Sequence, residues 1–380
     1  MTQNASLRAL RLILADVRPA RDDDSHGSLR PLPDISSRLP LPYMVHAALV
    51  LGAGCEYVLR PFEKIAWIID LKYKGVFIEL THRKFGMAMG IAEDASEAIA
   101  EEFLQVLNRA FSVTDKVLRP LIDEQIRLGN CSIPNRRWIL NARYRFFRAN
   151  AEAAYRSQPP QKEVIRFDVA GRPTDWISNP FRPEREGFFY ASAAIDAYFS
   201  CLEHLLVLMV PFIGFDPQKE DLLAFIRVTW SEKLKRIWDL TKDRDAKTLY
   251  DELRTIKERL RNSLSHGALE KEGMSLFVHV PALGALPASL SRFTESIHYG
   301  VIPFREASFA DACELFDRTD RYLANGPTRI GLKYAESGLD VAFDQRSVAG
   351  YNAVKGSEEA LDELIEYHSY LSDQATNMDW

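Results

Sequence analysis

The sequence predicts a mainly α-helical protein with an α+β domain at its N-terminus. Apolar residues recur at helical spacing through much of the second half of the chain, and three apolar or alternating runs between residues 65 and 91 are typical of strands. The chain has 380 residues, 47% hydrophobic and 27% charged, which is an ordinary globular composition for two or three domains. We expect residues 1–184 to form the α+β domain, 185–326 a helical domain and 327–380 a C-terminal extension.

The N-terminal domain begins with a segment that lacks a regular pattern. Residues Arg18–Pro42 are rich in proline, aspartate, serine and arginine, which is typical of an irregular or mobile loop. Further along, the pattern Asp94-Ala95-Ser96-Glu97 is that of a capping box, and it opens a long helix that Gly129 would end. The predicted strands between them are Ile65–Asp70, Gly75–Leu80 and Lys84–Ile91.

Cations and aromatic residues alternate from Arg136 to Arg148, the most basic segment of this domain. Such interleaving could form a surface on which RNA bases stack. In a helix, however, the aromatic residues would form a core stripe with solvated arginines opposite, and we favour this second interpretation. After it, Val164–Val169 and Asp175–Ser178 predict a hairpin, and Asn179–Pro183 predicts a linker that places the domain boundary near residue 184.

The string Arg261-Asn262-Ser263-Leu264-Ser265-His266-Gly267 combines charge and spacing more specifically than any other segment. The loose spacing of arginine and histidine recurs at Arg21–His26 and Arg292–His298, but without the neighbouring asparagine. Requiring arginine, asparagine and histidine at fixed spacing lowers the chance expectation to about one or two per cent per chain. The string is therefore the candidate active site.

The pattern around the string predicts that a helix carries it. Apolar residues recur there at steps of four and three, which is the stripe of an amphipathic helix with one face on a core. At about 100° per residue, Asn262 and His266 lie on roughly the opposite face and Arg261 lies off the stripe, so they point away from the core of their own subunit. Gly267 would end the helix, whose dipole would then favour the charged form of His266. The stripe consists of Leu249, Leu253, Ile256, Leu260 and Leu264.

The string and its flanks resemble the HEPN superfamily, whose helical domains carry arginine, a polar residue and histidine on a late helix. The apolar helix expected from Ser192 to Val210 looks like the first HEPN helix, with its acidic residue at Glu203. Helices near Glu220–Leu240 and Phe309–Ala324 would complete a four-helix up-and-down bundle over residues 185–326. The sequence departs from the simplest members before the last helix, where Met274–Pro281 has the pattern of a strand.

The resemblance implies a metal-independent endoribonuclease, because RNA carries its own nucleophile, the 2′-hydroxyl group. His266 would move the proton, Arg261 would hold the scissile phosphate, and Asn262 would orient one of them by a hydrogen bond. The motif helices of two subunits commonly meet in the family, so the expected partners are RNA and a second copy of the chain, with no cofactor or metal. Many relatives act in stress response or defence against phage, which leaves the N-terminal domain to sense a trigger or to select the substrate.

Alternative interpretations of these residues stay open on the sequence alone. Glu203 could be a fourth member of the catalytic group, or an acid in an apolar helix that pairs with a core arginine or lysine. Asn262 and His266 could cap a frayed helix end while Arg261 is a solvated charge. The domain could also be a catalytically inactive HEPN-like module that binds a nucleotide or forms a dimer interface.

The C-terminal extension has two parts, a predicted hairpin and an acidic helix. Two alternating runs separated by Glu336-Ser337-Gly338 predict the hairpin. Ser357 is then expected to cap the helix, which could dock on the dimer or regulate access to the cleft. The alternating residues are Ile330, Leu332 and Tyr334, followed by Leu339, Val341 and Phe343.

Charge, cysteine spacing and hydropathy argue against several other classes of protein. The net charge of −5 is unlike that of a general nucleic-acid coat protein, so any RNA contact must use a local patch. Four scattered cysteines predict neither a zinc site nor a disulfide framework and fit a reducing cytoplasm. The apolar stretch Ala193–Phe215 approaches membrane-spanning length, but the acids within it favour a buried bundle helix. We expect a soluble, cytoplasmic protein.

Overall fold

The computed structural model describes residues 2–21, 27–32, 35–39, 41–59, 64–158, 163–177, 182–257, 275–291, 296–298 and 306–377. These residues form a mainly helical protein with an antiparallel sheet near the N-terminus, which confirms the predicted class at this level. The chain divides into two compact units, Met1–Leu128 with Glu366–Trp380, and Gly129–Ile365.

The first unit is an antiparallel sheet that packs against helices. Its strands are β1 Val17–Pro19, β2 Leu29–Leu32, β3 Val58–Leu59, β4 Ile65–Tyr73, β5 Val76–Arg83 and β6 Gly86–Ala92, and its helices are α1 Thr2–Ile13, α2 Ile35–Arg38, α3 Pro42–Ala47 and α4 Glu97–Arg127. The strand order is β1-β4-β5-β6-β2, with β3 also paired to β4. Ile69 pairs with Leu80 and Leu80 with Met89, and all three side chains are buried on one face.

The long strands and the long helix of this unit were predicted more accurately than the segment Arg18–Pro42. The three predicted strands are confirmed as β4, β5 and β6, and α4 ends where Gly129 adopts a left-handed φ of 73°. The helix begins at Glu97 with Ser96 as its N-cap, two residues later than the capping-box pattern predicted. The prediction that Arg18–Pro42 is irregular is wrong for the part described, because β2 pairs with β6 through Leu29 and Ala92. Local composition does not reveal such a distant pairing.

Two histidines lie beside Trp67 in this unit. The ring centroids of His46 and Trp67 are 5.3 Å apart, and those of Trp67 and His82 are 5.7 Å apart. Burial lowers the pKa of both imidazoles, since it penalises the charged form. Within the described part of the chain, the buried Nε2 of His46 and Nδ1 of His82 have no hydrogen-bond partner. Protonation would therefore place a positive charge on buried nitrogens that have no hydrogen-bond acceptor among the described residues.

The protein is expected to lose stability as the pH falls from about 8 to about 5. The folded-state pKa values of His46 and His82 lie below the ordinary 6.5, so the unfolded chain binds more protons and the free energy of unfolding rises with pH. The contribution of the neutral imidazoles is complete above 6.5 and is lost as the pH falls through that value towards the lower folded-state values. Urea unfolding midpoints at several pH values, followed by tryptophan fluorescence, measure this slope.

The double variant His46→Phe/His82→Phe is the control for this prediction, because phenylalanine keeps an aromatic ring at each position without a titrating nitrogen. Its slope should be shallower than that of the wild type. A residual slope is expected from His204 and His368, whose pKa values burial also lowers. An unchanged slope in the double variant would show that the two histidines do not cause the pH dependence.

The second unit is built mainly from helices. Its helices are α5 Arg137–Arg156, α6 Arg182–Met209, α7 Leu222–Arg227, α8 Trp230–Ile237, α9 Arg244–Ile256, α10 Glu306–Leu323, α11 Arg329–Glu336, α12 Gln345–Ala353 and the start of α13 Glu358–Asn377. Its strands are β7 Ser132–Ile133, β8 Glu163–Phe167, β9 Pro173–Ile177, β10 Ser275–Val280, β11 Gly284–Ser291, β12 Ser296–His298 and β13 Val341–Ala342. The pair β8–β9 confirms the predicted hairpin, and β10 confirms the strand expected from Met274 to Pro281.

The core of this unit surrounds α6, which packs against α5, α8, α10 and α11. Tyr198 of α6 stacks on Phe316 of α10 with ring centroids 3.9 Å apart, and Tyr144 of α5 packs edge-on against Tyr198 at 5.2 Å. The Tyr198 hydroxyl lies 3.0 Å from Oδ1 of Asp320, which satisfies a polar group inside this aromatic cluster. Burial raises the pKa of both Tyr198 and Asp320.

Helix α6 and the 3₁₀ turn that follows it are long and apolar enough to cross a membrane. Within the described residues this is the one such helix, Arg182–Ile213, and 72% of its 18-residue apolar window is buried inside the protein. The core helix of a helical domain passes the same test of length and composition, so these properties carry no membrane assignment.

Three of the predicted helices differ from the observed elements in their continuity or their first residue. The helix expected over Glu220–Leu240 is interrupted, because Val228 is extended and Thr229 starts α8 with a capping box to Glu232. The helix expected from Ser192 begins earlier, at Arg182. The helix expected from Phe309 is α10, which begins at Glu306.

The division between the units lies at Leu128, whereas the sequence placed a boundary near residue 184. Helices α5 and α6 lie antiparallel along their length, which joins them in one unit. At one end the backbone N–H of Arg136 donates to Nε2 of His204 at 3.0 Å, and at the other end Gly187 lies against the ring of Tyr155. A Cβ atom added to Gly187 would be 2.5 Å from that ring, so only glycine permits this close approach.

The C-terminal hairpin prediction is wrong. Residues Arg329–Glu336 form α11, and Val341–Ala342 pairs instead with Ser132–Ile133. Helix α11 is enclosed on most of its surface, with Gly331 against Met209 of α6. Its buried arc is wide enough to include Ile330, Leu332 and Tyr334, so these residues alternate in the sequence as they would in a strand. The acidic helix is confirmed as α13, and Oγ of Ser357 accepts the N–H of Ala360 at 3.1 Å.

Candidate functional site

The string that indicates chemistry lies just beyond a described helix. Arg261, Asn262 and His266 fall within residues 258–274, which are outside the described residues. The structure does describe the helix before the string, α9, and the side chains around its end at Lys257. These surroundings define the candidate site.

Helix α9 has the capping and the stripe that the sequence predicted for it. Oδ1 of its N-cap, Asp243, accepts the N–H of Ala246 at 2.9 Å, which satisfies one of the free donors of the first turn. Leu249 and Leu253 are buried, and Ile256 packs against the same core. Arg318 of α10 also forms an ion pair with Glu252. The stripe is confirmed up to Ile256, and Leu260 and Leu264 lie outside the described residues.

At the end of α9, Lys257 lies over two aromatic rings. Its Nζ is 5.0 Å from the ring centroid of Trp230 on α8 and 5.2 Å from that of Phe199 on α6. The negative faces of aromatic rings attract an ammonium group at such distances. A positive charge is therefore held four residues before Arg261.

Glu203 pairs with a buried lysine. Nζ of Lys233 on α8 is 2.6 Å from Oε1 of Glu203, and the lysine side chain is 3% exposed whereas the glutamate side chain is 37% exposed. An ammonium group this deeply buried needs a counter-charge. The carboxylate of Glu203 supplies it.

Sequence reasoning missed Lys233, although a signal was present. Lys233 lies on the apolar stripe of α8 between Trp230 and Leu234, with Ile237 one turn further on. A lysine at a core position of an amphipathic helix requires an acidic partner, and Glu203 was the acid in the neighbouring apolar helix. Lys257 carried no comparable signal, because its position over Trp230 depends on how α8 and α9 pack.

Tyr250 connects a further lysine, Lys235, to these residues. Oη of Tyr250 on α9 is 2.6 Å from Oγ of Ser231, and Nζ of Lys235 is 5.2 Å from the Tyr250 ring centroid. Burial raises the pKa of Tyr250, whereas the hydrogen bond to Ser231 and the nearby Lys235 lower it. The net shift of the pKa is downward. The rings of Tyr250 and Trp230 are 5.9 Å apart, which connects this group to Lys257.

We call Lys235 and Lys257 the lysine cluster. Lys235 lies over the Tyr250 ring and Lys257 over the Trp230 ring. The buried Lys233 is already neutralised by Glu203 and is not part of the cluster. Lysine ammonium groups bind phosphate as point charges. Lys235 and Lys257 can therefore attract an anionic group.

His204, the neighbour of Glu203, has a structural contact. Because its Nε2 accepts the backbone N–H of Arg136 at 3.0 Å, the nitrogen carries no proton in this arrangement. Burial, and then the charge of Arg136, lower the pKa of His204. This histidine joins α6 to the start of α5.

A cleft elsewhere in the second unit lies away from the end of α9. It has a volume of about 550 Å³ and is lined by Trp238, Lys242, Asp243 and Arg244 among others. Three of its charged residues are engaged within the protein, because Lys242 pairs with Asp239 and Asp243 accepts from Tyr322. We do not assign it the chemistry of the string.

The basic and aromatic segment Arg136–Arg148 falls mostly on α5, and the interpretation we favoured is wrong for half of its aromatic residues. Tyr144 is buried and Phe147 packs against the core, as a core stripe requires. Trp138 is 68% exposed and Phe146 is 60% exposed. The outward side of α5 therefore presents aromatic rings as well as arginines.

Comparison with known proteins yields no relative. No protein-family model matches the chain, and neither a curated protein nor a solved structure matches it. The resemblance to HEPN domains depends on the string and on the sequence of the helices around it.

Proposed function

We propose that the protein is a metal-independent endoribonuclease of the HEPN type that acts in the cytoplasm as a homodimer. The observation that carries the proposal is the string Arg261, Asn262 and His266, which begins in the sequence five residues after Ile256, the last residue of the amphipathic helix α9. The lysine cluster beside α9 supports it, because a site for RNA cleavage must hold a phosphate.

The proposed chemistry needs one proton-transfer group and one cation. The 2′-oxygen of the substrate attacks the adjacent phosphorus, the P–O2′ bond forms and the bond from phosphorus to the 5′-oxygen breaks. His266 donates a proton to the departing 5′-oxygen, and the 2′-hydroxyl proton is released. Arg261 holds the phosphate oxygens with its planar donors, and Asn262 orients the phosphate or the imidazole. The products are a 2′,3′-cyclic phosphate and a 5′-hydroxyl end.

Glu203 acts in this proposal as a positioning residue. Its carboxylate neutralises Lys233 at 2.6 Å and so joins α8 to α6, which also meet where the rings of Phe199 and Trp230 pack 5.3 Å apart. The same contact leaves Glu203 engaged with a buried cation, which favours positioning over proton transfer. The lysine cluster would attract the RNA backbone towards the string.

RNA cleavage in the presence of a chelator tests the proposal. Purified protein is incubated with a mixed RNA and EDTA, and the ends of the products are identified by mass spectrometry. Cleavage to 2′,3′-cyclic phosphate ends is expected, since the mechanism uses no metal. If the wild type dimerises but leaves every RNA intact, the alternative of a catalytically inactive HEPN-like module replaces the proposal.

A further inference from the structure

The outward side of α5 is an exposed surface that the proposed cleavage chemistry does not use. We define the α5 outer face as Trp138, Ile139, Ala142, Arg145, Phe146 and Ala149, all of which are exposed. Exposed fractions are 68% for Trp138, 50% for Ile139 and 60% for Phe146. Single exposed apolar residues are common on protein surfaces, but large ones grouped on one helix face mark a site of interaction.

Helix geometry makes these residues one continuous surface. At about 100° per residue, the six positions fall within an arc of about 120°, and buried Tyr144 and Ala151 lie on the other side. Trp138 and Phe146 are separated by about 12 Å along the axis, with Ala142 between them. The small side chains of Ala142 and Ala149 leave both aromatic rings accessible.

The charge of α5 indicates what kind of partner this face accepts. The helix contains five arginines and one glutamate, although the whole chain has a net charge of −5. Arg137 pairs with Glu336 and Arg148 with Asp317, which commits two of the arginines to the protein itself. Arg143 is 52% exposed and its nearest ion pair, with Asp196, is 4.0 Å long. Arg143 and exposed Arg145 therefore flank the aromatic rings with positive charge.

A second α5 helix is a poor partner for such a surface. Pairing two copies of this helix would bring arginines close to arginines, and like charges across an interface cost free energy. A flexible polyanion with flat apolar groups satisfies both features of the face. Single-stranded nucleic acid has this chemistry, because its bases stack on aromatic rings while its phosphates bind arginine.

We propose that the α5 outer face binds single-stranded RNA, with bases stacked on Trp138 and Phe146 and phosphates held by Arg143 and Arg145. The identity of the polyanion as RNA rests on the proposed nuclease function, whereas the surface itself is described independently of the string. Because every base has a flat face, this binding has little sequence preference. It serves to retain the substrate strand on the second unit.

Binding is measured by the fluorescence anisotropy of a labelled 2′-O-methyl oligouridine, which lacks the attacking hydroxyl and cannot be cut. Trp138→Ala and Phe146→Ala are each expected to weaken binding by about fivefold or more, as loss of one stacked base implies. Trp138→Phe should bind nearly as well as the wild type, because it keeps an aromatic ring. The double variant Arg143→Gln/Arg145→Gln should reduce the slope of log affinity against log salt by about 1.4, at about 0.7 per phosphate contact.

Matched controls come from exposed residues elsewhere. Phe85, 89% exposed in the first unit, and exposed Arg346 of α12 are replaced as Phe85→Ala and Arg346→Gln, and neither should change binding. Equal binding by the wild type and the α5 variants overturns the proposal. A loss of dimer in the α5 variants, measured by light scattering, also overturns it and assigns the face to a second copy.

The outcomes separate this inference from the proposed function. Binding of the uncleavable RNA that depends on Trp138 and Arg145, without cleavage of ordinary RNA, would retain the inference and reject the nuclease. Cleavage of ordinary RNA by α5 variants with unchanged KM would retain the nuclease and reject the inference. Deoxyoligothymidine serves as a third probe, and equal affinity for it would show that the face recognises single strands without distinguishing the sugar.

Discussion

Replacement of His266 by alanine is expected to slow RNA cleavage by about 10²–10⁴-fold, the usual contribution of a positioned acid or base. Arg261→Ala is expected to cost about 10³-fold, because the arginine stabilises charge on the phosphate in the transition state. Both effects are measured as single-turnover rate constants on one labelled RNA in EDTA. The wild-type rate should also depend on pH through the titration of the imidazole, and His266→Ala should lose that dependence.

The chain supplies its own matched controls for these variants. Arg292 and His298 repeat the loose spacing of the string without its asparagine, so Arg292→Ala and His298→Ala remove the same chemical groups from another place. Both control variants should cleave at the wild-type rate. Circular dichroism and light scattering establish that each variant is folded and dimeric. Wild-type rates in Arg261→Ala and His266→Ala would place the active site away from the string.

Elements with a strong, one-sided apolar pattern could be predicted from the sequence. Strand β6 buries every second residue and α9 buries one stripe, so the period of their apolar residues predicts their structure. Helix α11 shows the limit of this argument. Its polar residues Arg329, Lys333 and Glu336 lie on one narrow side, and the wide buried remainder includes the alternate positions Ile330, Leu332 and Tyr334. Its apolar residues happened to alternate, which produced the wrong prediction of a hairpin.

The candidate site could be predicted only in part for a related reason. The string is visible because arginine, asparagine and histidine have a fixed spacing within one segment. Lys257 and Lys233 act through contacts with α6 and α8, and such contacts between distant segments are set by tertiary packing. On α5 the sequence showed that arginines and aromatic rings alternate. It could not show which rings face outward, because Tyr144 and Phe146 are both aromatic and the less polar of the two is the exposed one.

The pair of Glu203 and Lys233 is expected to dominate the stability of the site. Glu203→Gln leaves the ammonium group of Lys233 buried without a counter-charge, because that side chain is 3% exposed. We expect a loss of about 3 kcal/mol in the free energy of unfolding. This value is at the lower end of the range for breaking a buried ion pair, because Glu203 is partly hydrated. Lys233→Met should cost less, about 1 kcal/mol, since water can solvate the carboxylate that remains. Urea unfolding of the two variants measures the asymmetry.

The double variant Glu203→Gln/Lys233→Met separates positioning from proton transfer. It removes both charges, so it should recover much of the stability lost in Glu203→Gln, with a coupling of about 1–3 kcal/mol in the double-mutant cycle. If Glu203 acts by neutralising Lys233, the cleavage rate should recover together with stability. A double variant that is stable and dimeric but still inactive, beside an active Lys233→Met, would instead make Glu203 a participant in the chemistry. If the two single substitutions have additive effects on the free energy of unfolding, the 2.6 Å ion pair of Glu203 and Lys233 does not itself stabilise the protein.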